Sequence, residues 1–400
     1  MKTHSQLIVY NAQIVSDDNI VNGAVVVDNG VIADILSKED SGYELIKDSE
    51  NNYDAKGHWI IPGLVDIHCH GGNNSSFMDS TVEDYSNILQ FFLKNGTTSI
   101  FPTSLSCDDR LLVEFLDTYG HYLSSECEST YQSMLKGVHL EGPFLSTQKA
   151  GAQSKQYCKS PDISEISIIL DKYPFIKRWT IAPEMDDNHK LSDLLISKGV
   201  LVSAGHTDVL YDDMCQAIKN GYRHMTHLYS GMNSLVYIDG FRRAGAVEAA
   251  LLSPDATVEI IADGVHLPYP FIEIVYRLKG SDRIAVITDA MRGTGTDGTT
   301  SMLGNRVSGT PVILENGVAM LPDRTSLAGS ITTQIDMLRR LRANTDIPFI
   351  EIVKMCTYTP ARIMDLHDSI GLIQTGYTAD LLELDNDLRI VNVIKSGSFV

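Results

Sequence analysis

The chain has 400 residues, of which 43% are hydrophobic and 21% are charged, values typical of a globular protein of about two domains. Its formal net charge of −19 argues against nucleic acid and anionic membranes as partners, although a cleft can still bind a small anion. No apolar stretch approaches the ~20 residues of a membrane-spanning helix, and the N-terminus lacks the apolar region of a signal peptide. The six cysteines form no CxxC pair, which favours reduced thiols in a cytoplasmic protein over disulfides or a cysteine-rich zinc site.

Both ends of the chain are predicted to form β-structure. Near the N-terminus, "LIVYNAQIV" and "GAVVVDNGVIADIL" are rich in β-branched residues, and Asp-Asn-Gly in the second predicts a hairpin. The C-terminal stretch "TADLLELDNDLRIVNVIKSGSFV" also reads as strand, interrupted by an Asn-Asp turn. We predict that it pairs with the N-terminal strands, so that 1–61 and 369–400 together build one small β-sandwich domain.

Between these ends, short apolar runs alternate with helical stretches, which is typical of a parallel α/β sheet. The apolar runs are 64–70, 97–104, 135–142, 177–184, 200–207, 223–230, 257–264 and 282–290. The helical candidates are 81–94, 109–126, 190–198, 211–220, 268–279, 329–345 and 348–364. Eight strands separated by helices are what a closed (β/α)₈ TIM-like barrel requires, so we predict that barrel over 62–368.

A chemically capable side chain stands at the C-terminal end of every run. These side chains are His68 with His70, Thr103, Glu141, Glu184, His206, His227, Asp263 and Asp289. In a barrel the C-terminal strand ends gather on one face, where active sites are built. The pattern therefore predicts a single site made of residues that are far apart along the chain.

Five of these residues form a candidate metal site, namely His68, His70, Glu141, His206 and His227. His68 and His70 stand two apart on a strand, so both imidazoles face one side while Cys69 faces the other. Imidazole and carboxylate suit divalent zinc, and also iron, cobalt, nickel or manganese. One ion, or two ions sharing Glu141, would lower the pKa of bound water towards neutrality.

Other polar residues are open to two interpretations. Asp289 in "ITDAM" could carry a proton or cap a following helix, and the five candidate ligands opposite it favour the first. Asp263 and His266 in "ADGVHL" fit either a loop turn or a substrate clamp. His139 lies deeper in the barrel and is predicted to be a core or supporting residue. The histidines away from strand ends, predicted to be structural or solvated, are His4, His58, His121, His189 and His367.

With these residues in place, the chain resembles the amidohydrolase superfamily and, within it, the N-acetylglucosamine-6-phosphate deacetylase family. The matching stretches, in order over nearly the whole chain, are "IPGLVDIHCHGG", "GVHLEGPFL", "SAGHTD", "THLYSGM", "EIIADGVHL", "VITDAM", "LAGS", "TPARIM" and "GYTADLLELD". The resemblance implies a metal-dependent homodimer that deacetylates a small N-acetyl amino sugar. N-acetylglucosamine-6-phosphate is the first expectation. The alternatives are N-acetylgalactosamine-6-phosphate and an unphosphorylated N-acyl compound.

The resemblance also implies a role for each matching residue. Glu141, His206 and His227 match the family's metal ligands, and His68 and His70 are similar to the further ligands of two-metal members. Asp289 matches the catalytic carboxylate, and His266 matches a residue that contacts substrate and steadies the carbonyl oxygen. Substrate contacts are implied at Ala152, Gln153, Ser230, Gly231, Arg242, His266, Leu327, Ala328 and Gly329.

The departures from the family pattern cluster where the resemblance implies a sugar-phosphate site. Ser230-Gly231 replaces the usual Asn-Ala, and "RRAG" at 242–245 replaces "REPG". In the family the arginine at the position of Arg242 comes from a neighbouring subunit. Arg292 follows Asp289 where small apolar residues are common. We therefore expect Arg242, Arg243 or Arg292 to hold the phosphate if the substrate carries one.

Two rival functions make different demands on the sequence. Cyclic-amide hydrolases and dipeptidases of the superfamily commonly bridge two metals with a carboxylated lysine on the fourth strand, but "KRWTIAPE" has no lysine at its C-terminal end. A non-enzymatic scaffold would be expected to have lost ligands, whereas all five candidate ligands and Asp289 are present. The residues therefore favour the deacetylase.

Overall fold

The computed structural model describes residues 6–46, 51–127 and 129–400, so residues 1–5 and 47–50 of the predicted terminal domain, and His4, lie outside the described residues. All eight predicted barrel strands are present. In chain order they are Leu64–Cys69, Thr97–Pro102, Val138–Glu141, Ile176–Ile181, Leu201–Ala204, His224–Met225, Thr257–Ile261 and Ile284–Ile287.

These strands close into a barrel. The third to eighth strands form one sheet in which neighbours pair in parallel, and the first two strands pair in parallel with each other. A bridge between Thr103 and His139 joins the second strand's end to the third strand, and one between Cys69 and Ala290 joins the first to the eighth. The predicted (β/α)₈ barrel is confirmed, and its C-terminal strand ends share one mouth.

A helix follows each of the first seven strands. These helices are Val82–Lys94, Asp109–Ser124, Ile163–Lys172, Lys190–Ser197, Tyr211–Lys219, Ala246–Leu252 and Tyr269–Lys279. Ile163–Lys172 and Ala246–Leu252 were not predicted. The first of these is rich in isoleucine, which favours strands, but Asp162 caps it and Ile166 and Leu170, four residues apart, are buried.

The helices after the eighth strand are shorter than expected. Gln334–Asn344 replaces the predicted 329–345, and Phe349–Cys356 with Tyr358–Ile363 replaces 348–364. Residues 329–330 belong instead to the strand Leu327–Ser330, because Gly329 has φ +79 and the strand pairs with Val318–Met320. No described helix has the length and apolarity to cross a bilayer. Two further short helices are Tyr43–Ile46, in the N-terminal region, and Ser129–Gln132, between the second barrel helix and the third barrel strand.

Two β-insertions at the mouth were not predicted. A four-stranded sheet comprises Thr300–Leu303, Thr310–Glu315, Val318–Met320 and Leu327–Ser330, and a hairpin comprises Val236–Ile238 and Phe241–Arg243. A smaller hairpin pairs Gly71–Gly72 with Ser75–Ser76. A bridge between Ala290 and Ser330 attaches the four-stranded sheet to the end of the eighth barrel strand. This attachment brings the "LAGS" stretch to the mouth.

Both chain ends meet in one eight-stranded sheet. Its strands are Gln6–Val15, Ile20–Asp28, Val31–Ser37, Asn52–Asp54, Trp59–Pro62, Leu381–Leu384, Ile390–Lys395 and Ser398–Phe399. Leu381–Leu384 pairs with Trp59–Pro62, which confirms that the tail returns to the N-terminal region. A separate apolar cluster that includes Val25, Ile60 and Leu381 packs here. The sandwich arrangement and the domain boundaries stay predictions.

Candidate active site

Six side chains from the ends of five barrel strands meet at the mouth. The Nε2 atoms of His68 and His70 are 3.2 Å apart. Glu141, at the end of the third strand, contacts His206 Nε2 at 3.1 Å and His227 Nε2 at 2.8 Å through Oε1. Its other oxygen lies 3.4 Å from His70 Nε2. Asp289 completes the group, with Oδ1 3.1 Å from His70 Nε2. The structure thus brings together all the predicted ligands and the predicted catalytic carboxylate.

The donor set fits a divalent metal ion. Two groups, His68/His70/Glu141 and Glu141/His206/His227, each have ligand atoms within 4.8 Å of one another, and all these residues are buried. Four imidazole nitrogens converging on one shared carboxylate are a ligand set that zinc and other first-row metals accept. Glu141 belongs to both groups, so the arrangement accommodates either one ion or two.

The backbone is strained where three of these side chains turn inwards. His206, His227 and Asp289 have φ values of +47, +29 and +47. Positive φ is uncommon for residues other than glycine, and such strain concentrates at functional sites. Each of these residues follows the end of a barrel strand, so the strained step turns its side chain towards the barrel axis. Residue types and spacing alone do not show this feature.

Charge interactions dominate the site. Burial lowers the pKa of His68, but Glu141, Glu259 and Asp289 outweigh burial and raise it to about 10. The same balance, with Asp289 and Glu141 opposing burial, raises the pKa of His70 to about 9. Burial raises the pKa of Asp289, but its hydrogen bond to His70 and the nearby imidazoles lower the pKa below its ordinary value. Imidazolium ions paired with carboxylates hold the protons that a divalent ion would displace on binding.

Three of the four imidazoles are oriented by a partner at Nδ1. His70 donates to the carbonyl of Thr103 at 3.1 Å, and His206 donates to the carbonyl of Lys149 at 2.8 Å. His68 faces the carboxylate of Glu259 at 3.3 Å. Each contact leaves Nε2 directed at the cluster.

Sequence reasoning missed Glu259 and its partner Arg178, although both are fully buried inside the barrel. The available signal was a charged residue in the middle of an apolar run, "KRWTI" for Arg178 and "TVEII" for Glu259. Burial raises the pKa of Glu259, but Arg178, His224 and His68 together outweigh burial and hold the pKa well below its usual range. Lys177, next to Arg178, is exposed, so the fourth strand directs no lysine into the barrel.

Asp263 and His266 form the loop turn that was one of the two interpretations left open by the sequence, and the substrate clamp stays a prediction. Asp263 Oδ1 accepts the N–H groups of Val265 and His266 at 2.9 and 2.8 Å, which makes the loop turn. Its Oδ2 lies 2.6 Å from His266 Nδ1. His266 lines the cavity, and its buried Nε2 has no hydrogen-bond partner within the described part of the chain. The turn therefore holds His266 with one ring nitrogen available to a substrate.

A cavity of about 220 Å³ opens onto the cluster. Its walls include Ala152, Gln153, Ser230, Gly231, His266, Leu327, Ala328 and Gly329, which are all the predicted substrate residues except Arg242. Gln153 also binds Glu141 Oε2 at 2.7 Å and accepts the N–H of Ser106 at 2.7 Å. It therefore orients a predicted metal ligand as well as lining the cavity.

The arginines do not form a phosphate site within one chain. Arg292 is buried and binds both oxygens of Asp79 at 2.7 Å, so the expectation that Arg292 could hold a phosphate is wrong. Arg242 is exposed on the hairpin and donates to Tyr237 at 2.9 Å, and Arg243 lies over the ring of Phe241. Within the described ranges, no lysine or arginine lines the cavity.

The other strand-end residues have structural roles. Glu184 accepts the Thr207 hydroxyl at 2.5 Å and the Asp208 N–H at 2.6 Å, which holds the loop after the fifth strand. The segment after Asp289 leads into the strand Thr300–Leu303, so Asp289 does not cap a helix. His139 is buried and lies 2.7 Å from the hydroxyl of Thr180, inside the barrel as predicted.

Comparisons with known proteins agree with this geometry. The amidohydrolase family matches residues 59–400. The chain belongs to the amidohydrolase family. This amidohydrolase is 32% identical over 349 residues to the N-acetylglucosamine-6-phosphate deacetylase of Lysinibacillus sphaericus, covering 86% of each chain. It is 26% identical to the N-acetylgalactosamine-6-phosphate deacetylase of Shewanella sp., over 100% of this chain and 97% of that protein.

Solved structures support the same relationship. The amidohydrolase superposes on the crystal structure of N-acetylglucosamine-6-phosphate deacetylase from Pasteurella multocida with a TM-score of 0.89 and 28% identity, covering 99% of this chain and 100% of that one. The predicted resemblance to the deacetylases is confirmed.

Proposed function

We propose that this amidohydrolase removes the acetyl group from N-acetylglucosamine-6-phosphate, giving acetate and the amino sugar phosphate. The observation that carries the proposal is the complete cluster around Glu141 and Asp289 at the floor of a cavity. The 32% identity to a deacetylase over 86% of both chains supports this substrate class.

The metal site of the proposal consists of His68, His70, Glu141, His206 and His227. We propose that they hold one or two divalent ions, zinc in the first place, with iron, cobalt, nickel or manganese as alternatives. When bound, such an ion lowers the pKa of water and polarises an amide carbonyl.

Asp289 and His266 carry the proton and orientation steps. The Asp289 carboxylate takes a proton from the attacking water and passes it to the nitrogen of the departing amino sugar as the carbon–nitrogen bond breaks. Its lowered pKa favours the anionic form that this step needs. His266, held by Asp263, directs Nε2 to the acetyl carbonyl oxygen. Ala152, Gln153, Ser230, Gly231 and Leu327–Gly329 contact the substrate from the cavity walls.

The phosphate contact of the proposal comes from a second subunit. Arg242 does not line the cavity of its own chain, and Leu235, Tyr237 and Phe241 around it are 56–65% exposed. A homodimer that covers this hairpin would bury these apolar side chains and supply Arg242 to the neighbouring site. We also propose a cytoplasmic location, which the six free cysteines support.

Two observations favour a second candidate substrate. The Shewanella relative named N-acetylgalactosamine-6-phosphate deacetylase matches the whole chain. Separately, no lysine or arginine lines the cavity within the described part of one chain, which favours an unphosphorylated sugar. N-acetylgalactosamine-6-phosphate or an unphosphorylated acetylated sugar would use the same hydrolytic residues.

The test is acetate release by purified protein loaded with zinc. The substrates are N-acetylglucosamine-6-phosphate, N-acetylgalactosamine-6-phosphate and the two corresponding unphosphorylated sugars. We expect kcat/KM to be highest for N-acetylglucosamine-6-phosphate. A preference for the galactosamine epimer would select the second candidate. Activity on the unphosphorylated sugars alone would select the unphosphorylated alternative, and activity on none of the four sugars, in protein of normal metal content, would overturn the proposed substrate class.

A further inference from the structure

A charged pair lies buried beneath the proposed metal site, and neither member touches the cavity. Arg178 on the fourth strand and Glu259 on the seventh are both 0% exposed, and they form a direct ion pair. Neither side chain belongs to the five proposed ligands or to the substrate contacts. Burying two charges costs free energy, and proteins in which well-packed apolar residues replace such a pair are often equally or more stable.

The pair joins its own fourth and seventh strands and makes contacts on three further strands of the barrel, the first, fifth and sixth. Glu259 Oε2 accepts the backbone N–H of His227 at 3.1 Å and lies 3.3 Å from His68 Nδ1, while Oε1 is 3.4 Å from His224 Nε2. Arg178 donates to three further acceptors. These are Ser203 Oγ at 2.9 Å, Thr226 Oγ1 at 2.8 Å and the carbonyl of Ile67 at 3.2 Å. Both oxygens of Glu259 therefore act as acceptors, and its position is fixed from several sides.

His68 differs from the other proposed ligands in what orients it. Nδ1 of His70 and of His206 donates to a backbone carbonyl, and Nδ1 of His227 has no partner among the described residues. Only His68 has a carboxylate at Nδ1. Because that carboxylate accepts, Nδ1 keeps its proton, and Nε2, which faces His70 and Glu141, is the nitrogen that would give up its proton to a bound ion.

We propose that Glu259 is a positioning residue that fixes the tautomer and direction of His68 for metal binding, and that Arg178 holds Glu259 in place. The inference rests on the proposed metal site. A carboxylate behind a ligating histidine orients the ring and strengthens it as a donor, and loss of such a partner commonly weakens metal affinity by about 10–100-fold. Glu259 makes no side-chain contact with Glu141 or His206, and it touches His227 only at the backbone N–H, so we expect its main effect on the ion held by His68 and His70.

The experiment compares zinc binding by four variants with that of the wild type, without substrate. Glu259→Gln removes the charge but keeps the shape, and Arg178→Met with Glu259→Gln removes both charges. His70→Ala tests the metal site itself. The matched control is Glu383→Gln, because Glu383 is also buried and also contacts a histidine, His58, at 2.8 Å, but in the terminal domain.

The readouts are the number of zinc ions per chain, their dissociation constants from chelator competition, the visible spectrum of the cobalt form and the melting temperature. We expect Glu259→Gln to lower the binding affinity for one zinc ion by about 10–100-fold and to alter the visible spectrum of the cobalt form. Glu383→Gln should bind zinc like the wild type. The double variant should melt close to the wild type and still bind zinc as weakly as Glu259→Gln, because removing both charges restores stability but not the partner of His68.

Four results would overturn the inference. If His70→Ala weakens zinc binding and Glu259→Gln does not, the metal site stands and the positioning role is wrong. If His70→Ala has no effect either, the proposed ligand set fails, and the inference fails with it. If Glu259→Gln and Glu383→Gln weaken zinc binding equally, or if the double variant regains wild-type affinity, the pair is structural only. If Glu259→Gln does not fold, the double variant decides between these results.

Discussion

Asp289 is held between two imidazoles and a constrained turn. Its carboxylate lies 3.1 Å from His70 and 3.5 Å from His68, and its φ is +47. Gly329 packs against it so closely that an added Cβ would lie 2.8 Å from the Asp289 carbonyl oxygen. These contacts fix the carboxylate beside the cluster without making it a member of either candidate ligand group.

Asp289→Asn is therefore expected to reduce kcat by about 10²–10⁴-fold while zinc content stays near that of the wild type. The amide keeps the size of the side chain but cannot accept the proton of water. Steady-state acetate release and elemental analysis of the same sample provide the measurement. A wild-type kcat in fully loaded Asp289→Asn would show that another group carries the proton.

Gly231 explains one departure from the family pattern. Its φ is +61, and a Cβ there would lie 2.9 Å from His206 Nδ1 and 3.1 Å from the carbonyl of Lys149, which accepts from that nitrogen. The alanine usual in the family at this position would disturb His206 in this chain. Gly199 has a similar φ of +70 but no heavy atom within 4 Å of an added Cβ.

We expect Gly231→Ala and Gly199→Ala each to lose about 1 kcal/mol of unfolding free energy, because both place a Cβ in the left-handed region. Only Gly231→Ala should also lower zinc affinity and kcat. Urea denaturation and zinc titration of the two variants provide the comparison. Equal zinc binding in both would mean that His206 tolerates the added methyl group.

At the scale of elements, an ion-pair cluster ties the four-stranded sheet to the barrel. The side chain of Asp79 is 1% exposed, and it binds Arg292 from the loop after the eighth strand and Arg306 from the inserted sheet. Burial raises the pKa of Asp79, but Arg306 and Arg292 outweigh burial and lower it. Since the sheet carries Leu303 and Leu327 to the cavity wall, Asp79 helps to fix that wall.

Asp79→Asn should remove about 3 kcal/mol of unfolding free energy at pH 7, because it leaves buried Arg292 without its charge partner. The lowered pKa means that this stabilisation is present above the unfolded-state pKa and is lost as pH falls through the lower folded value. The difference between wild type and Asp79→Asn should therefore shrink below about pH 4. Urea unfolding across that pH range measures this difference in unfolding free energy.

Glu315→Gln is the control, because it breaks an exposed pair with Arg324 in the same sheet. It should change the midpoint of urea unfolding little.

The two hairpins that were not predicted contain an Asp-Gly or Asn-Gly dipeptide at the turn, the same kind of signal that predicted the N-terminal hairpin. Asn29-Gly30 in the predicted hairpin has φ values of +51 and +81. Asp239-Gly240 and Asn316-Gly317, at the turns of the missed hairpins, have nearly the same pairs of values, +50 with +81 and +53 with +81. Such dipeptides favour tight hairpin turns, so both insertions were within reach of sequence reasoning. Their position at the barrel mouth was not within reach of sequence reasoning, because it depends on contacts such as the bridge between Ala290 and Ser330.

At the scale of the whole molecule, the proposal requires each active site to draw on two subunits. Arg242 would serve the neighbouring site and Asp289 its own. A dimer of one Arg242→Ala chain and one Asp289→Asn chain would then contain one intact site and one site with both defects.

Mixing the two variants after dissociation and reassembly should therefore restore activity on the 6-phosphate to well above the sum of the separate variants. Arg242→Ala alone should raise KM for the phosphorylated sugar and leave KM for the unphosphorylated sugar nearly unchanged. The assay is acetate release together with light scattering to measure oligomeric state. No gain on mixing, in samples shown to contain mixed dimers, would mean that Arg242 does not act across the interface.

The sequence by itself determined the barrel and the return of the C-terminal tail to the N-terminal strands, and it predicted that five side chains meet at one site, namely His68, His70, Glu141, His206 and His227. Strand periodicity and strand-end position are local properties, and each was visible in a short stretch of residues. Only the tertiary structure showed the partners of Arg178, Glu259 and Arg292. Each of these residues has its partner on another strand or loop of the barrel, and a charge's partner across the barrel leaves no trace in the neighbouring residues.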